Sequence, residues 1–150
     1  QIPNRRRLDV YLADVWTQCV ERNRIMAITI IDVDHFKQFN DSRGHLAGDD
    51  LLVALAKLLS RNLRRAEDLV ARYGGEEFLV VLPGADSATA LSVVESMRSI
   101  VEKSGLGVTI SAGICTTRPD ASTSITEMIA AADTALYQAK AAGRNRVVSG

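Results

Sequence analysis

Residues 69–84, LVARYGGEEFLVVLPG, consist of two apolar runs separated by Gly74-Gly75-Glu76-Glu77. Such runs, joined by a short connection that contains glycine, predict a β-hairpin, here over residues 69–82 with a four-residue connection. The two adjacent carboxylates repel each other and add nothing to a hydrophobic core. The two glycines remove side chains where a ligand would approach the backbone, so the tip of the hairpin is predicted to have a function.

The segments around the hairpin alternate between helical and strand patterns. Apolar residues recur at helical spacing after Asn4, which can cap a helix. Residues 25–31, IMAITII, form a continuous apolar run typical of a strand buried on both faces, and Asp32 and Asp34 follow it directly. Next come a short helix in HFKQFND and, after interruptions at Gly44 and Gly48, a helix from Asp49.

Beyond the hairpin, a helix is predicted to be capped by Asp86 or Ser87 and to end near Gly105, and a strand follows over residues 107–117. The capping box Ser124-Ile125-Thr126-Glu127 opens the last helix, and RVV forms a short final strand.

This order of elements predicts an α/β fold of the α+β type. We expect a central, mostly antiparallel sheet that is wrapped by helices and carries the hairpin. The chain has 150 residues, of which 47% are hydrophobic, enough to bury one sizeable core. Residues 1–150 are therefore expected to form one domain.

The composition excludes several classes of partner. Eighteen basic and eighteen acidic residues give a net charge of zero, so no overall field would hold a nucleic acid or a membrane surface. The apolar runs are far shorter than the roughly 20 residues of a membrane span. Cys19 and Cys115 lie in apolar patterns without metal-binding spacing, which indicates buried thiols in a reducing compartment. We expect a cytoplasmic location, either for the whole protein or for the cytoplasmic part of a longer membrane or sensor protein.

The carboxylates on the first strand and on the hairpin can act together. If the first strand pairs beside the hairpin, about 4.8 Å separates neighbouring strands, and Asp32 and Asp34 can converge with Glu76 and Glu77. Converging carboxylates favour a hard cation such as Mg²⁺, which is usually held by one or two carboxylates and by substrate phosphates. This arrangement indicates phosphoryl or nucleotidyl transfer.

Basic groups in the same neighbourhood could hold phosphate. Lys37 and the N–H groups of residues 35–37 lie at the start of a predicted helix, where anions bind. Lys140 and Arg144, at i and i+4 near the end of the last helix, could reach the same phosphate or could simply complement the helix dipole. The alternative for the acidic set is that Asp32 and Asp34 cap the short helix and that the hairpin tip is a solvated turn.

Six ordered pieces of the sequence resemble the GGDEF family of diguanylate cyclases in its GGEEF form. They are IPNRRRL at the start, DVDHFKQFND after the first strand, GHLAGD at 44–49, RAED at 65–68, RYGGEEF at 72–78 and ADTALYQAKAAGRNRV at 132–147. The resemblance covers nearly the whole chain. It implies a fold similar to the palm of nucleotidyl cyclases and polymerases, and it implies that regulatory or dimerising modules precede this domain.

The resemblance also implies the chemistry, which is condensation of two GTP molecules into cyclic di-GMP with release of pyrophosphate across a homodimer. The resemblance assigns Asp32, the Val33 carbonyl and Glu76 as ligands of Mg²⁺ or Mn²⁺, and Glu76, Glu77 and Lys37 as catalytic residues. It assigns Asn40 and Asp49 to the recognition of guanine. Further substrate contacts would come from Phe36, Lys37, Lys140 and Arg144. By itself, Phe36 is most simply explained as a core residue. For Asp49 a physical reason exists as well, since a carboxylate accepts the paired N–H donors of guanine that adenine lacks.

In the family, an Arg-x-x-Asp motif binds cyclic di-GMP as an inhibitor, and Arg65 and Asp68 match it. The alternative is an ordinary ion pair. Two other functions stay open: a catalytically silent module that binds GTP or cyclic di-GMP, and a different palm-type enzyme, such as another nucleotide cyclase or a polymerase fragment. The complete acidic and basic set argues against the silent module, and Asn40 with Asp49 argues against the other palm enzymes.

Overall fold

The computed structural model describes residues 3–150, so Gln1 and Ile2, with the start of the IPNRRRL piece, lie outside the described residues. Helices and strands alternate along the chain. The helices are α1 (Arg5–Glu21), α2 (Phe36–Arg43), α3 (His45–Ser60), α4 (Ser87–Glu102) and α5 (Ile125–Ala141). The strands are β1 (Met26–Val33), β2 (Leu69–Gly74), β3 (Glu77–Pro83), β4 (Ile110–Thr117) and β5 (Val147–Ser149).

The strands form one sheet in the order β2-β3-β1-β4-β5. The β2–β3, β3–β1 and β1–β4 pairs are antiparallel, and β4 and β5 are parallel. The predicted α+β class and the mostly antiparallel sheet are confirmed. The predicted hairpin is β2–β3, and it lies directly beside the strand that ends in Asp32.

The central strand β1 has helices on both sides. All eight of its residues are buried, which confirms the strand predicted from the continuous apolar run. Alternate residues point to opposite faces: Ile31 packs in the core beneath α3 and α4, whereas Ile28 and Ile30 pack in the core beneath α1 and α5. The hydrophobic residues of β1 therefore join the two cores of the molecule.

The helix starts follow local capping chemistry. The Asn4 side chain accepts a hydrogen bond from the N–H of Arg7 at 3.0 Å, and Asp86 accepts one from Thr89 at 2.8 Å. Ser124 Oγ accepts from the N–H of Glu127 at 3.1 Å. These three hydrogen bonds confirm the caps predicted at Asn4, Asp86 and Ser124. Each one satisfies an N–H group of the first turn that has no partner inside the helix.

The structure differs from the sequence predictions at several boundaries. The hairpin connection is Gly75-Glu76 alone, and the register shifts between Arg72 and Gly74. Helix α3 begins at His45 and runs through Gly48, where an interruption was predicted. Gly48 therefore does not break the helix; it allows α2 and α3 to pack closely, since a Cβ at this position would lie 1.7 Å from Asn40 Oδ1. Helix α4 ends at Glu102 and strand β4 begins at Ile110, both inside the predicted limits.

The contact between β4 and α5 provides a stability prediction. A Cβ at Gly113 would lie 2.1 Å from the backbone N of Leu136 and 2.2 Å from the carbonyl oxygen of Ala132. Gly113→Ala should therefore destabilise the fold by about 1–3 kcal/mol, because the helix backbone must move away from the strand. Urea unfolding monitored by circular dichroism measures this difference. The control is Gly75→Ala, whose Cβ would meet nothing within 4 Å. Equal unfolding midpoints for the two variants would contradict the prediction.

Candidate active site

A cleft of about 350 Å³ opens where β1 ends and the chain turns into α2. It is lined by residues from the end of β1, the start of α2, the hairpin tip, and the end of α5 with the connection that follows it. Its lining includes seven residues predicted from the sequence, namely Asp32, Val33, Phe36, Lys37, Glu76, Lys140 and Arg144. Residues more than 100 positions apart in the chain therefore meet in one cleft.

Strand pairing positions the carboxylates. Asp32 on β1 lies directly opposite Glu77 on β3, so both side chains point to the face that α5 covers. Lys140 Nζ of α5 donates to Asp32 Oδ2, and the Asp32 residue is only 6% exposed. Glu76 lies in the hairpin connection, and its carbonyl accepts from the N–H of Val33 at 3.3 Å. The hairpin tip is thereby held against the end of β1.

The acidic groups carry an electrostatic cost. Burial raises the pKa of the Asp32 carboxyl above its ordinary value, and the charges of Glu76 and Asp34 raise it further against the opposing effect of Lys140. Burial also raises the pKa of Glu77, and the charge of Asp32 adds to this rise. A cation bound in the cleft would relieve this repulsion.

The donor set fits a hard divalent cation that shares its coordination with a substrate. No cluster of three or more His, Cys, Asp or Glu side chains within residues 3–150 is arranged to hold a metal. The cleft instead offers Asp32 and Glu76, together with the backbone at Val33. Two carboxylates suit Mg²⁺, which retains water and takes further oxygen ligands from phosphates. Because Asp32 and Glu76 line the same cleft, a cation bound between them would be favoured by both negative charges.

The turn between β1 and α2 exposes helix N–H groups to the cleft. The N-cap of α2 is His35, in the left-handed region with φ 56°, and no side chain among the described residues caps the helix. The alternative that Asp32 or Asp34 caps this helix is therefore wrong. Lys37 lies exposed in the first turn of α2.

Arg144 does not lie on the last helix as predicted. Helix α5 ends at Ala141, and Arg144 follows Gly143 in a left-handed conformation with φ 66°. Its N–H donates to the carbonyl of Ala139 at 3.0 Å, which closes the helix end. Lys140 is in the last turn of α5, so only this residue can complement the helix dipole from within the helix.

Asp34 lines the cleft as well, and it makes hydrogen bonds that the sequence did not predict. Its side chain is buried and accepts hydrogen bonds from Ser111 Oγ and Thr109 Oγ1, each at 2.7 Å, and from the N–H of Asn145 at 3.0 Å. These bonds tie its carboxylate to Thr109, Ser111 and Asn145, while the residue also lines the cleft that contains Asp32 and Glu76. Sequence reasoning missed its three partners because they lie 75, 77 and 111 residues away in the chain.

The two predicted guanine readers lie on adjacent helices, α2 and α3. Asn40 Oδ1 is buried and has no hydrogen-bond partner within residues 3–150. Gly48 leaves the space that this side chain occupies, and Phe36 Cζ would lie 3.3 Å from a Cβ at Gly48. Phe36 packs partly against the core and also lines the cleft, so both sequence interpretations agree with its position. Asp49 is exposed, one residue beyond Gly48.

Arg65 and Asp68 lie at the opposite end of the hairpin. Arg65 Nη2 is 2.9 Å from Asp68 Oδ1, and the same nitrogen donates to the carbonyl of Pro83. Pro83 ends β3, whereas Glu77 begins it, so the Arg65 pair is about 20 Å from the hairpin tip at a strand rise of about 3.3 Å per residue. A ligand at Arg65 would not overlap the cleft.

The fold and the cleft define a class of α+β domain in which a carboxylate at the end of a buried strand and an acidic hairpin tip share one cleft with basic side chains. The chain belongs to the GGDEF family, since the family model described as "Diguanylate cyclase, GGDEF domain" matches residues 1–146. A probable diguanylate cyclase of Escherichia coli, DgcC, is 38% identical over 149 residues, which cover 95% of this chain and 40% of the relative. The chain thus spans less than half the length of that relative.

Solved structures agree with this family. The GGDEF domain of DgcB from Caulobacter crescentus, determined in complex with c-di-GMP, has a TM-score of 0.91 and 32% identity, over 99% of this chain and 91% of that one. The active GGEEF domain of a diguanylate cyclase from Vibrio cholerae has a TM-score of 0.91 and 30% identity, over 99% and 97%. In the described part of the chain, every helix is too short or too polar to cross a membrane.

The raised pKa of Glu77 predicts a pH-dependent stability. The stabilising contribution of the protonated carboxyl is complete below its ordinary pKa of 4.5 and is lost as the pH rises through the raised value. In metal-free buffer, Glu77→Gln should therefore unfold at higher urea concentration than the parent near about pH 8, and the difference should vanish near about pH 4.

The control for this prediction is Glu21→Gln, since Glu21 is exposed at the end of α1. This variant should follow the parent at both pH values. A gain for Glu77→Gln that is equal at the two pH values would mean that ionisation of the Glu77 carboxyl is not its cause.

Proposed function

We propose that this chain is the catalytic domain of a diguanylate cyclase, which condenses two GTP molecules into cyclic di-GMP with release of pyrophosphate. The observation that carries the proposal is the single cleft lined by Asp32, Glu76, Lys37, Lys140 and Arg144. It offers ligands for a cation and cations for a triphosphate within one space. Relatives that are named diguanylate cyclases support the same reaction.

Asp32 and Glu76, with the Val33 carbonyl, would hold Mg²⁺ or Mn²⁺. Bound there, the ion would offset charge on the phosphates and favour ionisation of the attacking 3′-hydroxyl group. Glu77 would support the site from the position opposite Asp32 on the paired strand. Lys140 contacts Asp32, so its ammonium group would lie beside phosphates that share the cation with Asp32.

Three basic residues would orient the triphosphate from different sides of the cleft. Lys37 approaches from α2, Lys140 from α5 and Arg144 from the connection that follows α5. The N–H groups in the first turn of α2 add a positive potential without a side chain. Together these groups would stabilise the charge that develops on the transferring phosphoryl group.

Guanine would bind between α2 and α3. The buried Asn40 Oδ1, which has no hydrogen-bond partner within residues 3–150, is an acceptor that a base could satisfy. The Asp49 carboxylate would accept two N–H groups of guanine side by side. This pairing would select GTP over ATP.

The reaction requires two copies of the domain. One cleft holds one GTP, and the 3′ oxygen of each GTP attacks the α-phosphate of the other. At each α-phosphate an O3′–P bond forms, the bond to the oxygen that bridges to the β-phosphate breaks and one pyrophosphate leaves, while the proton of the 3′-hydroxyl group passes to solvent. The two reactions together release two pyrophosphates. A homodimer with the two clefts facing each other therefore belongs to the proposed mechanism.

The direct test is to incubate the purified domain with GTP and Mg²⁺ and to identify the product by mass spectrometry. We expect cyclic di-GMP, and we expect activity per molecule to rise with protein concentration because two copies must meet. GTP binding without any turnover, even at high protein concentration and after fusion to a strong dimeriser, would favour the silent binding module. A product other than cyclic di-GMP would favour another palm-type enzyme.

Glu76→Gln should reduce the turnover number by at least about 100-fold, since it removes one charged metal ligand from the hairpin tip. The fold should be retained because Glu76 lies in the connection and has no core contact to lose. A coupled pyrophosphate assay measures the loss, and urea unfolding checks the fold. Glu127→Gln is the control, because a capping box accepts glutamine as well as glutamate. Near-normal synthesis by Glu76→Gln would remove this residue from the metal site.

Asp49→Ala should weaken GTP binding by about 1–3 kcal/mol, because the paired N–H groups of guanine lose their acceptor. It should also relax the discrimination against ATP. Isothermal titration with GTP and with ATP measures both effects. The matched control is Asp50→Ala, which removes the same charge from the next residue of α3. If both variants bind GTP as the parent does, guanine is recognised elsewhere.

Arg65 and Asp68 would form a product-binding site that regulates the enzyme. A guanidinium group can both stack on guanine and pair with phosphate, which suits cyclic di-GMP. The distance of about 20 Å from the hairpin tip means that product bound there would not displace GTP directly. Inhibition would instead hold two domains in an arrangement whose clefts do not face each other.

Arg65→Ala should relieve inhibition by added cyclic di-GMP and leave the initial rate unchanged to within about twofold, because the residue lies outside the cleft. Initial rates over a matrix of GTP and cyclic di-GMP concentrations measure this effect. Arg61→Ala, at the end of α3, is the control and should stay sensitive. If cyclic di-GMP inhibits purely in competition with GTP, or if Arg65→Ala stays as sensitive to cyclic di-GMP as the parent, Arg65 and Asp68 form only a surface ion pair.

A further inference from the structure

Strained backbone is concentrated beside the candidate active site. Within residues 3–150, four residues other than glycine have a positive φ, and three of them adjoin the cleft: His35 at 56°, Arg144 at 66° and Asn145 at 47°. The fourth, Asn23, lies in the connection between α1 and β1. A left-handed conformation is unfavourable for residues with a Cβ and persists only where surrounding contacts hold it.

One carboxylate holds the two strained segments together. Asp34, which precedes His35, accepts the N–H of Asn145 at 3.0 Å and the hydroxyl groups of Ser111 and Thr109 at 2.7 Å each. Ser111 Oγ also accepts the N–H of Asn145 at 3.1 Å. We call these four residues, Asp34, Thr109, Ser111 and Asn145, the Asp34–Asn145 cluster.

The side chain of Asn145 anchors the cluster to α4. Its Oδ1 accepts from Arg98 Nη1 at 2.9 Å, and its Nδ2 donates to Glu102 Oε2 at 2.5 Å. Arg98 itself pairs with Glu102 at 3.3 Å, so the amide completes a closed network. The amide offers an acceptor to Arg98 and a donor to Glu102, and asparagine also tolerates the left-handed conformation. An aspartate would place a second negative charge against Glu102.

The cluster lies between the two segments that carry phosphate-binding candidates. On one side, Asp34 leads through His35 into the turn that carries Lys37. On the other side, Arg144 directly precedes Asn145. Contacts to a single buried carboxylate therefore fix the chain on both sides of the cleft.

We propose that Asp34 and Asn145 are positioning residues, which hold the Lys37 turn and Arg144 in register with each other so that both reach one triphosphate. The part of this inference that concerns triphosphate rests on the proposed function. The structural part, that the two segments are held as one unit, does not depend on any activity.

The structural part is tested by hydrogen–deuterium exchange of the full chain without nucleotide. In Asn145→Gly, which keeps the left-handed conformation accessible but removes both contacts to α4, amides at 143–147 should exchange about tenfold faster or more. Amides at 35–38, which lie over 100 residues away in the chain, should exchange faster by a similar factor. Asp34→Asn, which weakens the same cluster from its other side, should accelerate both segments as well.

Asn23→Gly is the matched control, since it makes the same substitution at the one left-handed asparagine that is remote from the cluster. It should leave both segments unchanged. Acceleration of 143–147 without any change at 35–38 in both cluster variants would overturn the proposal. If Asp34→Asn exchanges faster throughout, including β2 and β3, the Asn145→Gly comparison alone decides.

The functional part is tested by a double-mutant cycle on GTP binding, measured by titration calorimetry. Asn145→Gly should weaken GTP binding about fivefold or more, and it should add less than about twofold in a Lys37→Ala, Arg144→Ala background, because its effect acts through these two residues. Fully additive effects would mean that Asn145 does not position Lys37 and Arg144. A parent that does not bind GTP would instead refute the proposed function, and the exchange experiment would still decide whether the two segments are coupled.

Discussion

The candidate active site is organised around a carboxylate placed at the end of the most buried strand. Asp32 lies opposite Glu77 across the β1–β3 pair, and Glu76 follows at the tip. Like charges at opposite positions of paired strands destabilise a sheet, and burial adds to this cost. The raised pKa values of Asp32 and Glu77 reflect both causes. The domain keeps this unfavourable arrangement in the cleft where four segments of the chain meet.

The rest of the fold supports that place. β1 is covered on both faces, so the backbone that carries Asp32 is held by two cores. Gly113 lets the backbone of α5 approach β4 closely, which brings Lys140 onto Asp32. Gly48 lets α2 and α3 approach each other around Asn40 and Phe36. Two glycines with no turn to form thus position the helices that bring side chains toward the cleft and the region beside it.

The other elements around the cleft are fixed by polar contacts. The Asp34–Asn145 cluster joins β1, β4, α4 and the segment before β5. Buried polar groups of this kind specify one arrangement because every alternative leaves a donor or acceptor without a partner. Hydrophobic packing therefore fixes β1, and the hydrogen bonds of Asp34 fix the segments on both sides of the cleft.

The sequence by itself determined the hairpin, the buried strand, the three helix caps and the class of fold, because these depend on residues close in the chain and on the periodicity of apolar side chains. It also indicated that Asp32, Lys37, Glu76 and Lys140 belong together. The tertiary structure alone decided that Asp34 bonds inward, that α3 continues through Gly48 and that Arg144 leaves the helix. Each of these three depends on contacts with other segments, in which space and hydrogen-bond partners, rather than local propensity, select the conformation.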